Sequence, residues 1–270
     1  MKTIAKCTTI FLFSLLFIQC DSNDNVTTEN CTLATLSNFD GDDGEEQMQV
    51  TYTGNKITQL LGSSLKYTYE YDAQDRISVK NYYEIGDQNN ADTLKVIYTY
   101  NADTTLNEEQ FFKLISGSYV QYTRIKYHYT NAKITTSDYY YTENNIEILK
   151  GITSYTYTGN NITKVEYVSQ TTSSNYIYEF TVDVNTSNPY AAALANPYQM
   201  DTYIDDDEFL SMPIFINPNR VTSYTQTENG FTPSVNNINY IFTSSPQGNN
   251  LLNEIKINAD EYYKFTYNCN

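Results

Sequence analysis

The chain of 270 residues carries 28 Tyr and 12 Phe but no Trp and a single His, and its 16 basic against 32 acidic residues give a formal charge of −16. So acidic a surface repels phosphate backbones and anionic lipid, which excludes nucleic acid as a partner and leaves no role for direct adsorption to a membrane. One histidine excludes a multi-histidine zinc site, and Tyr with abundant Thr, Asn and Ile is a β composition with turn formers added.

The first residues read as a processing signal. Lys2 and Lys6 form a basic start, and Ile10 to Ile18 is apolar apart from Ser14. A run of about nine residues is too short to span a bilayer and suits the core of an export signal. Leu16-Phe17-Ile18-Gln19-Cys20 resembles a bacterial lipobox, although Ile18 and Gln19 stand where small residues are usual; such looser forms occur in some Gram-negative lineages. On this reading residues 1–19 are a lipoprotein signal peptide and Cys20 carries the lipid. The alternative is an ordinary secretory signal cut nearby, with Cys20 left as a thiol or in a disulfide. Loss of Lys2 and Lys6 with the leader would take the charge to about −18.

Residues 20–47 read as a flexible acidic tether, since Asp21 to Asn30 holds too little apolar surface to order itself. Acidic residues after the lipidated cysteine resemble a surface-export signal of some Gram-negative lipoproteins, whereas in other lineages Asp at that place retains the protein at the inner membrane. The expected location is the outer membrane, facing the periplasm or the surface, with membrane contact through the lipid alone. Cys7 is lost with the signal and Cys20 is taken by lipid. Cys31 and Cys269 remain, and in an oxidising compartment they can form one staple joining the ends of the folded part.

Residues 48–270 read as a Tyr-rich β-repeat domain. A strand with aromatics at alternate positions runs into a short Asn/Gly/Asp turn, and a second strand leaves it with Ile or Leu followed by Thr or Ser. The copies include Val50-Thr51-Tyr52-Thr53-Gly54-Asn55-Lys56-Ile57-Thr58, Tyr127-His128-Tyr129-Thr130-Asn131-Ala132-Lys133-Ile134-Thr135 and Tyr155-Thr156-Tyr157-Thr158-Gly159-Asn160-Asn161-Ile162-Thr163. Recurrence of this kind marks a repeat architecture. Residues two apart share a sheet face. Tyr69 and Tyr71, Tyr98 and Tyr100, Tyr127 and Tyr129, and Tyr155 and Tyr157 therefore form aromatic rows, while Thr68, Glu70, Thr99, Lys126 and His128 form a polar face. Short turns make neighbouring strands antiparallel. The expected fold is an all-β antiparallel meander of hairpins curling into an open or partial barrel. An integral membrane barrel would need an apolar outer face, which this alternation does not supply.

One copy, Tyr69-Glu70-Tyr71-Asp72-Ala73-Gln74-Asp75-Arg76-Ile77-Ser78, resembles the Tyr-Asp (RHS-type) repeat, Tyr-x-Tyr-Asp-x-x-Gly-Arg-Leu/Ile-Thr/Ser, and departs from it at Asp75. Over about residues 48–267, and with its lipobox, the chain is similar to small Tyr-Asp-repeat lipoproteins of unknown function (the DUF4595-like group), described as having a porin-like fold. The resemblance implies an architecture and no activity.

The repeat breaks over 183–220, where four of the six prolines fall: Pro189, Pro197, Pro213 and Pro218. Tyr190 to Ala195 behind Pro189 suits one or two helical turns. This stretch reads as a loop and short-helix excursion able to cover one end of a curved sheet. Candidate chemistry is thin. His128 lies on the polar face, no Gly-x-Ser-x-Gly elbow or phosphate-binding glycine loop occurs, and the acidic runs Asp40–Glu46 and Asp205–Glu208 read as solvated loops and not calcium sites. No cofactor or metal is expected. The eight tyrosines named above are the candidate binding residues, as an exposed stacking surface or as the filling of the interior. The function expected is a non-catalytic, envelope- or surface-tethered binding or structural protein, with a glycan or a partner protein as ligand. The alternative is a small carboxylate-dependent hydrolase acting in the sheet concavity.

Overall fold

The computed structural model describes residues 31–40, 44–86, 93–144, 146–189, 212–246, 248, 250–257 and 261–269. The lipobox, the run at 190–195 and the acidic run at 205–208 lie outside them, as do the side chains of 40–46. Sixteen strands follow in order: β1 (Cys31–Asp40), β2 (Gly44–Thr53), β3 (Lys56–Leu61), β4 (Leu65–Tyr71), β5 (Ile77–Glu84), β6 (Leu94–Tyr100), β7 (Leu106–Ile115), β8 (Ser118–Thr130), β9 (Lys133–Glu143), β10 (Ile146–Thr158), β11 (Asn161–Ser169), β12 (Asn175–Ser187), β13 (Asn219–Glu228), β14 (Ser234–Ser244), β15 (Asn250–Ile257) and β16 (Glu261–Cys269). Each pairs antiparallel with its sequence neighbours, and β1 pairs with β16, so the meander closes into a complete barrel. Closure corrects the expectation of an open or partial barrel. It removes both free edges, which would otherwise present unpaired backbone to other chains.

The closing strand comes from the stretch that reads as tether. β1 lacks the alternating tyrosines and is bulged between Leu33 and Thr35, which puts Leu33 and Leu36 on the inner face three residues apart. That spacing breaks the period of two by which strands are recognised. The same device is built into every copy of the repeat. In the β2–β3 hairpin Thr51 faces Gln59 and Tyr52 faces Ile57, so Thr58 has no opposite residue. Ser78, Asn107, Thr135 and Thr163 are skipped in the same way. The Ile-Thr/Ser signature is therefore a bulge. Its apolar residue and the residue three further on both turn inward, as in Ile57 with Leu60 and Ile162 with Val165. The hydroxyls of Thr58, Ser78 and Thr135 donate to the carbonyls of Thr51, Glu70 and His128 across the hairpin at 3.2–3.3 Å.

Four of the tyrosines near the ends of even-numbered strands have a structural task of their own. Tyr71, Tyr100, Tyr240 and Tyr267 donate their hydroxyls to the backbone carbonyls of Ile57, Ile77, Val221 and Leu252 at 2.7–3.1 Å, each tying its strand to the preceding one. Asp72 then caps the turn. Its carboxylate accepts the backbone N–H groups of Gln74 and Arg76 at 2.9 Å and the Arg76 Nε at 2.7 Å. Asp75, where the Tyr-Asp repeat has Gly, sits at φ 64°, a left-handed conformation that Gly adopts without strain and Asp tolerates.

The inner face is filled. A single apolar cluster draws residues from all sixteen strands, among them Leu33, Tyr67, Tyr98, Phe111, Ile125, Tyr178 and Phe265. Sixteen strands close a ring wide enough for an aqueous channel when side chains are short, and here long aromatic side chains occupy it. Much of the outer wall is polar: Thr51, Thr53, Glu70, Thr156, Glu179 and Thr181 are exposed, and Arg124 on β8 bridges Glu108 on β7 and Glu147 on β10 at 2.8 and 2.7 Å, while Ile146, Val184 and Val235 are exposed among them. A lipid-embedded barrel has the reverse arrangement, with an apolar band outward.

Filling the barrel with phenols makes it sensitive to alkali. Burial pushes Tyr71, Tyr240 and Tyr267 up to about 12. Burial, with the Glu109 carboxylate beside it, raises Tyr127 further. These groups are held neutral by the fold and ionise more easily once it is lost. The stability they contribute is complete below pH ~10, the ordinary phenol value, and is lost as pH rises through the folded value. We expect the thermal midpoint to hold steady up to pH ~10 and to fall steeply above it, with phenolate absorbance appearing cooperatively as the barrel unfolds. Gradual ionisation of the buried phenols with the β-sheet circular dichroism intact would contradict this.

Candidate functional site

The topology sorts the connections into two rims. At one, even-numbered strands hand over to odd ones through the repeat turns at 54–55, 72–76, 101–105, 131–132 and 159–160. The excursion between β12 and β13 rises from this rim, and the Cys31–Cys269 disulfide closes the β1–β16 seam there. Cys31, the first residue of β1, therefore lies at the same rim.

Within 183–220 the described residues give one five-residue helix, Met212–Ile216. Asparagines fasten it to the barrel. The pairing of β11 with β12 starts only at Lys164, which leaves the backbone of Ile162 to be met by something else. The Asn217 side chain meets it. Its Oδ1 accepts the Ile162 N–H at 2.7 Å and its Nδ2 donates to the Ile162 carbonyl at 2.9 Å. Asn188 Nδ2 donates to the carbonyls of Ile214 and Asn217 at 2.9 Å, and Asn161 and Asn219 bond to each other at 3.0 Å. Ile214 enters the core cluster.

Beneath the helix end, and between three repeat turns, lies a cavity of about 450 Å³. Tyr100, Thr104, Thr105 and Leu106 form one wall, Tyr129, Ala132, Lys133 and Ile134 the next, and Tyr157, Asn160 and Ile162 the third, with Ile216 and Asn217 across the top. The volume is in the range of small-molecule sites. The lining contains no carboxylate, thiol or imidazole, and its one charged group is Lys133, whose Nζ donates to the Gly159 carbonyl and lies 5.0 Å from the Tyr157 ring centroid.

The eight candidate tyrosines divide into two sets. Tyr69, Tyr98, Tyr127 and Tyr155 are buried inside the barrel at 5–6% exposure. They belong to the core: the Tyr127 hydroxyl donates to Glu109 Oε1 at 2.7 Å, and that of Tyr155 bonds to Ser137 Oγ at 3.2 Å. Tyr71, Tyr100, Tyr129 and Tyr157 are half-buried at the rim, and the last three line the cavity. Thr105, Asn160 and Asn217 escape sequence reasoning, because two are turn residues and the third lies in the excursion. His128 stands on the outer wall with Nε2 2.8 Å from Asp138 Oδ2. Among the described residues no group of three or more His, Cys, Asp and Glu could hold a metal ion.

These features define a class: a closed, core-filled, sixteen-stranded antiparallel meander barrel with a roofed cavity at one rim. No model of a known protein family matches the chain, and no curated protein matches it. Among solved structures its fold is similar to that of a porin-like protein from Bacteroides vulgatus, at 14% identity and a TM-score of 0.58 over 88% of this chain and 99% of that one. It is also similar to a porin-like protein from Bacteroides uniformis, at 9% identity and a TM-score of 0.53 over 87% of this chain and 96% of that one. At such identities the likeness is one of fold.

Proposed function

We propose that the chain is a non-catalytic lipoprotein of the Gram-negative outer membrane, tethered through Cys20, whose barrel binds a ligand in the rim cavity. The observation that carries the reading is the roofed cavity with three half-buried tyrosines in its wall. Tyr presents a flat apolar face and a polar tip, a combination suited to a sugar ring or to one side chain of a partner protein. The lining supports a binder over a hydrolase, because no carboxylate faces the cavity and the buried Glu109 is bonded to Tyr127 inside the barrel. The polar outer wall supports a soluble barrel on a lipid anchor, and the likeness to porin-like barrels is compatible with an envelope location. A family tie to the Tyr-Asp-repeat lipoproteins remains part of this proposal, supported by the turn chemistry of Asp72 and the bulged Ile-Thr/Ser pairs.

Two measurements on the full chain test it. Metabolic labelling with a fatty-acid analogue should mark the wild type and not Cys20→Ala; equal labelling would remove the anchor. A glycan array should give hits that Tyr157→Ala abolishes and the outer-wall variant Lys126→Ala leaves unchanged. Hits that survive Tyr157→Ala, or an array without hits, would refute the cavity as a glycan site. Turnover of any glycan, lost on mutating one carboxylate, would overturn the non-enzyme reading.

A further inference from the structure

At the rim opposite the cavity, three successive turns carry an exposed isoleucine. Ile85 follows β5, Ile115 ends β7 and Ile146 begins β10, and they are 43%, 53% and 65% exposed. The ladders show why these side chains are left out of the core. The registers of β7 with β6, of β8 with β9 and of β10 with β11 stop at Lys113, Thr123 and Gly151. The ends of the β7–β8 and β9–β10 hairpins therefore stand clear of their neighbours. Behind each tip is a tyrosine with a lysine against its ring. Lys66 Nζ lies 5.5 Å from the Tyr83 ring centroid, Lys95 Nζ 5.5 Å from that of Tyr119, Lys113 Nζ 5.8 Å from that of Tyr122 and Lys150 Nζ 5.6 Å from that of Tyr141. None of these four lysines meets a carboxylate among the described residues, whereas Lys56 and Arg76 at the cavity rim pair with Asp75 and Asp72.

We infer that this rim is a membrane-docking edge, at which Ile85, Ile115 and Ile146 enter the apolar layer of a bilayer and the Tyr–Lys pairs behind them lie among anionic headgroups. Tyr and Lys each join an apolar body to a polar end, the combination that a lipid–water boundary accommodates. The apolar groups are spread over three separate tips, roughly 10 Å from one hairpin to the next. That arrangement suits a fluid, extended surface better than a pocket-forming protein partner. The net charge of −16 opposes adsorption of the molecule as a whole, but screening shortens its reach to about 8 Å at physiological salt. The local balance then decides. Of the described acids near the tips, Glu147 is held by Arg124, which leaves Glu84 and Glu143 against four lysines. Below the tips the wall carries Glu70, Glu179 and several threonines, so the contact ends at the rim and the barrel does not span the bilayer. The inference depends neither on the cavity nor on the lipid, and it is compatible with both. The cavity lies at the other rim, and the eleven residues from Cys20 to Cys31 can reach about 36 Å. That exceeds the ~23 Å length of a seven-residue strand such as β6.

The full chain is added to nanodiscs of phosphatidylethanolamine and phosphatidylglycerol that carry a trace of lipid with a gadolinium chelate on its headgroup. Paramagnetic broadening of backbone amides is then read at both rims. The amides of Ile85, Ile115 and Ile146 should broaden, while those of Ala132 and Gly159 at the cavity rim stay sharp. Replacing phosphatidylglycerol by phosphatidylcholine should weaken this contact about tenfold, and so should Ile115→Asn combined with Ile146→Asn. Both isoleucines are exposed, so that variant should keep its thermal midpoint. Broadening at Ala132 and Gly159 alone would put the cavity rim on the membrane and overturn the inference. Tips that stay sharp would leave this rim to a protein partner and overturn it as well. So would tip broadening that survives the double variant. None of these results bears on the glycan test of the cavity, which turns on Tyr157.

Discussion

Replacing Cys31 and Cys269 together by serine should lower the thermal midpoint by about 10 °C, from a loss of ~3–5 kcal/mol in the chain-entropy picture. The two residues stand opposite each other at the seam and are separated by 238 positions. Every other strand pair forms between sequence neighbours. The β1–β16 pairing must instead bring together the ends of the whole folded chain, and loop-closure entropy grows with the length enclosed. The disulfide removes that entropy from the unfolded state. The seam also holds a hydrogen bond between the Thr35 and Thr266 hydroxyls at 2.7 Å and packs Leu36 opposite Phe265, both buried, so the native barrel keeps its own reasons to stay closed. We therefore expect the serine variant to fold but to open first at β1 and β16, with early amide exchange at Leu33 and Phe265. Exposed edges should make it aggregate more readily on heating. Reduction of the wild type should give the same shift. An unchanged midpoint in both would mean that the staple carries no stability.

How much of this was legible in the sequence follows from what the repeat encodes. Alternating tyrosines at 67–71, 98–100, 127–129 and 155–157 announce antiparallel hairpins with one aromatic face, because a strand's two faces are written at a period of two. Closure was not legible. It depends on β1, whose inward Leu33 and Leu36 are three apart across a bulge and whose surroundings are acidic and polar, so the segment reads as tether. The Ile-Thr/Ser pairs are visible as a motif, yet their meaning needs the register: only the skipped Thr58, Ser78 and Thr135 show why apolar residues recur at a spacing of three. The tyrosine rows were half legible as a site. Which member of each pair belongs to the core depends on its distance from the rim, a property of the closed barrel that local sequence does not carry. The cavity was not legible either, since its lining includes Asn217, which reaches Ile162 from 55 residues away.

Asn217→Ala should free the roof of the cavity at a cost of about 2–4 kcal/mol, because two buried backbone groups lose their partners together. Asn217 is 1% exposed, and its amide takes the place of the strand residue that β12 does not supply to Ile162. Alanine leaves the Ile162 N–H and carbonyl facing a small void. Aspartate keeps an acceptor for the N–H but offers no donor to the carbonyl and brings a charge into a buried place, so Asn217→Asp should be at least as damaging. The loss is local first. Asn188 still bonds to the Ile214 carbonyl, and Ile214 still packs in the core, so the helix should loosen while the barrel below it holds. The Ile162 amide should then exchange with solvent about thirtyfold faster or more, the equivalent of ~2 kcal/mol, while amides in the middle of β8 and β10 keep their protection. Ligand binding should weaken with it, since Asn217 and Ile162 both line the cavity. Unchanged exchange at Ile162 would show that the asparagine does not hold the roof. Loss of protection throughout β8 and β10 would show that roof and barrel unfold as one unit.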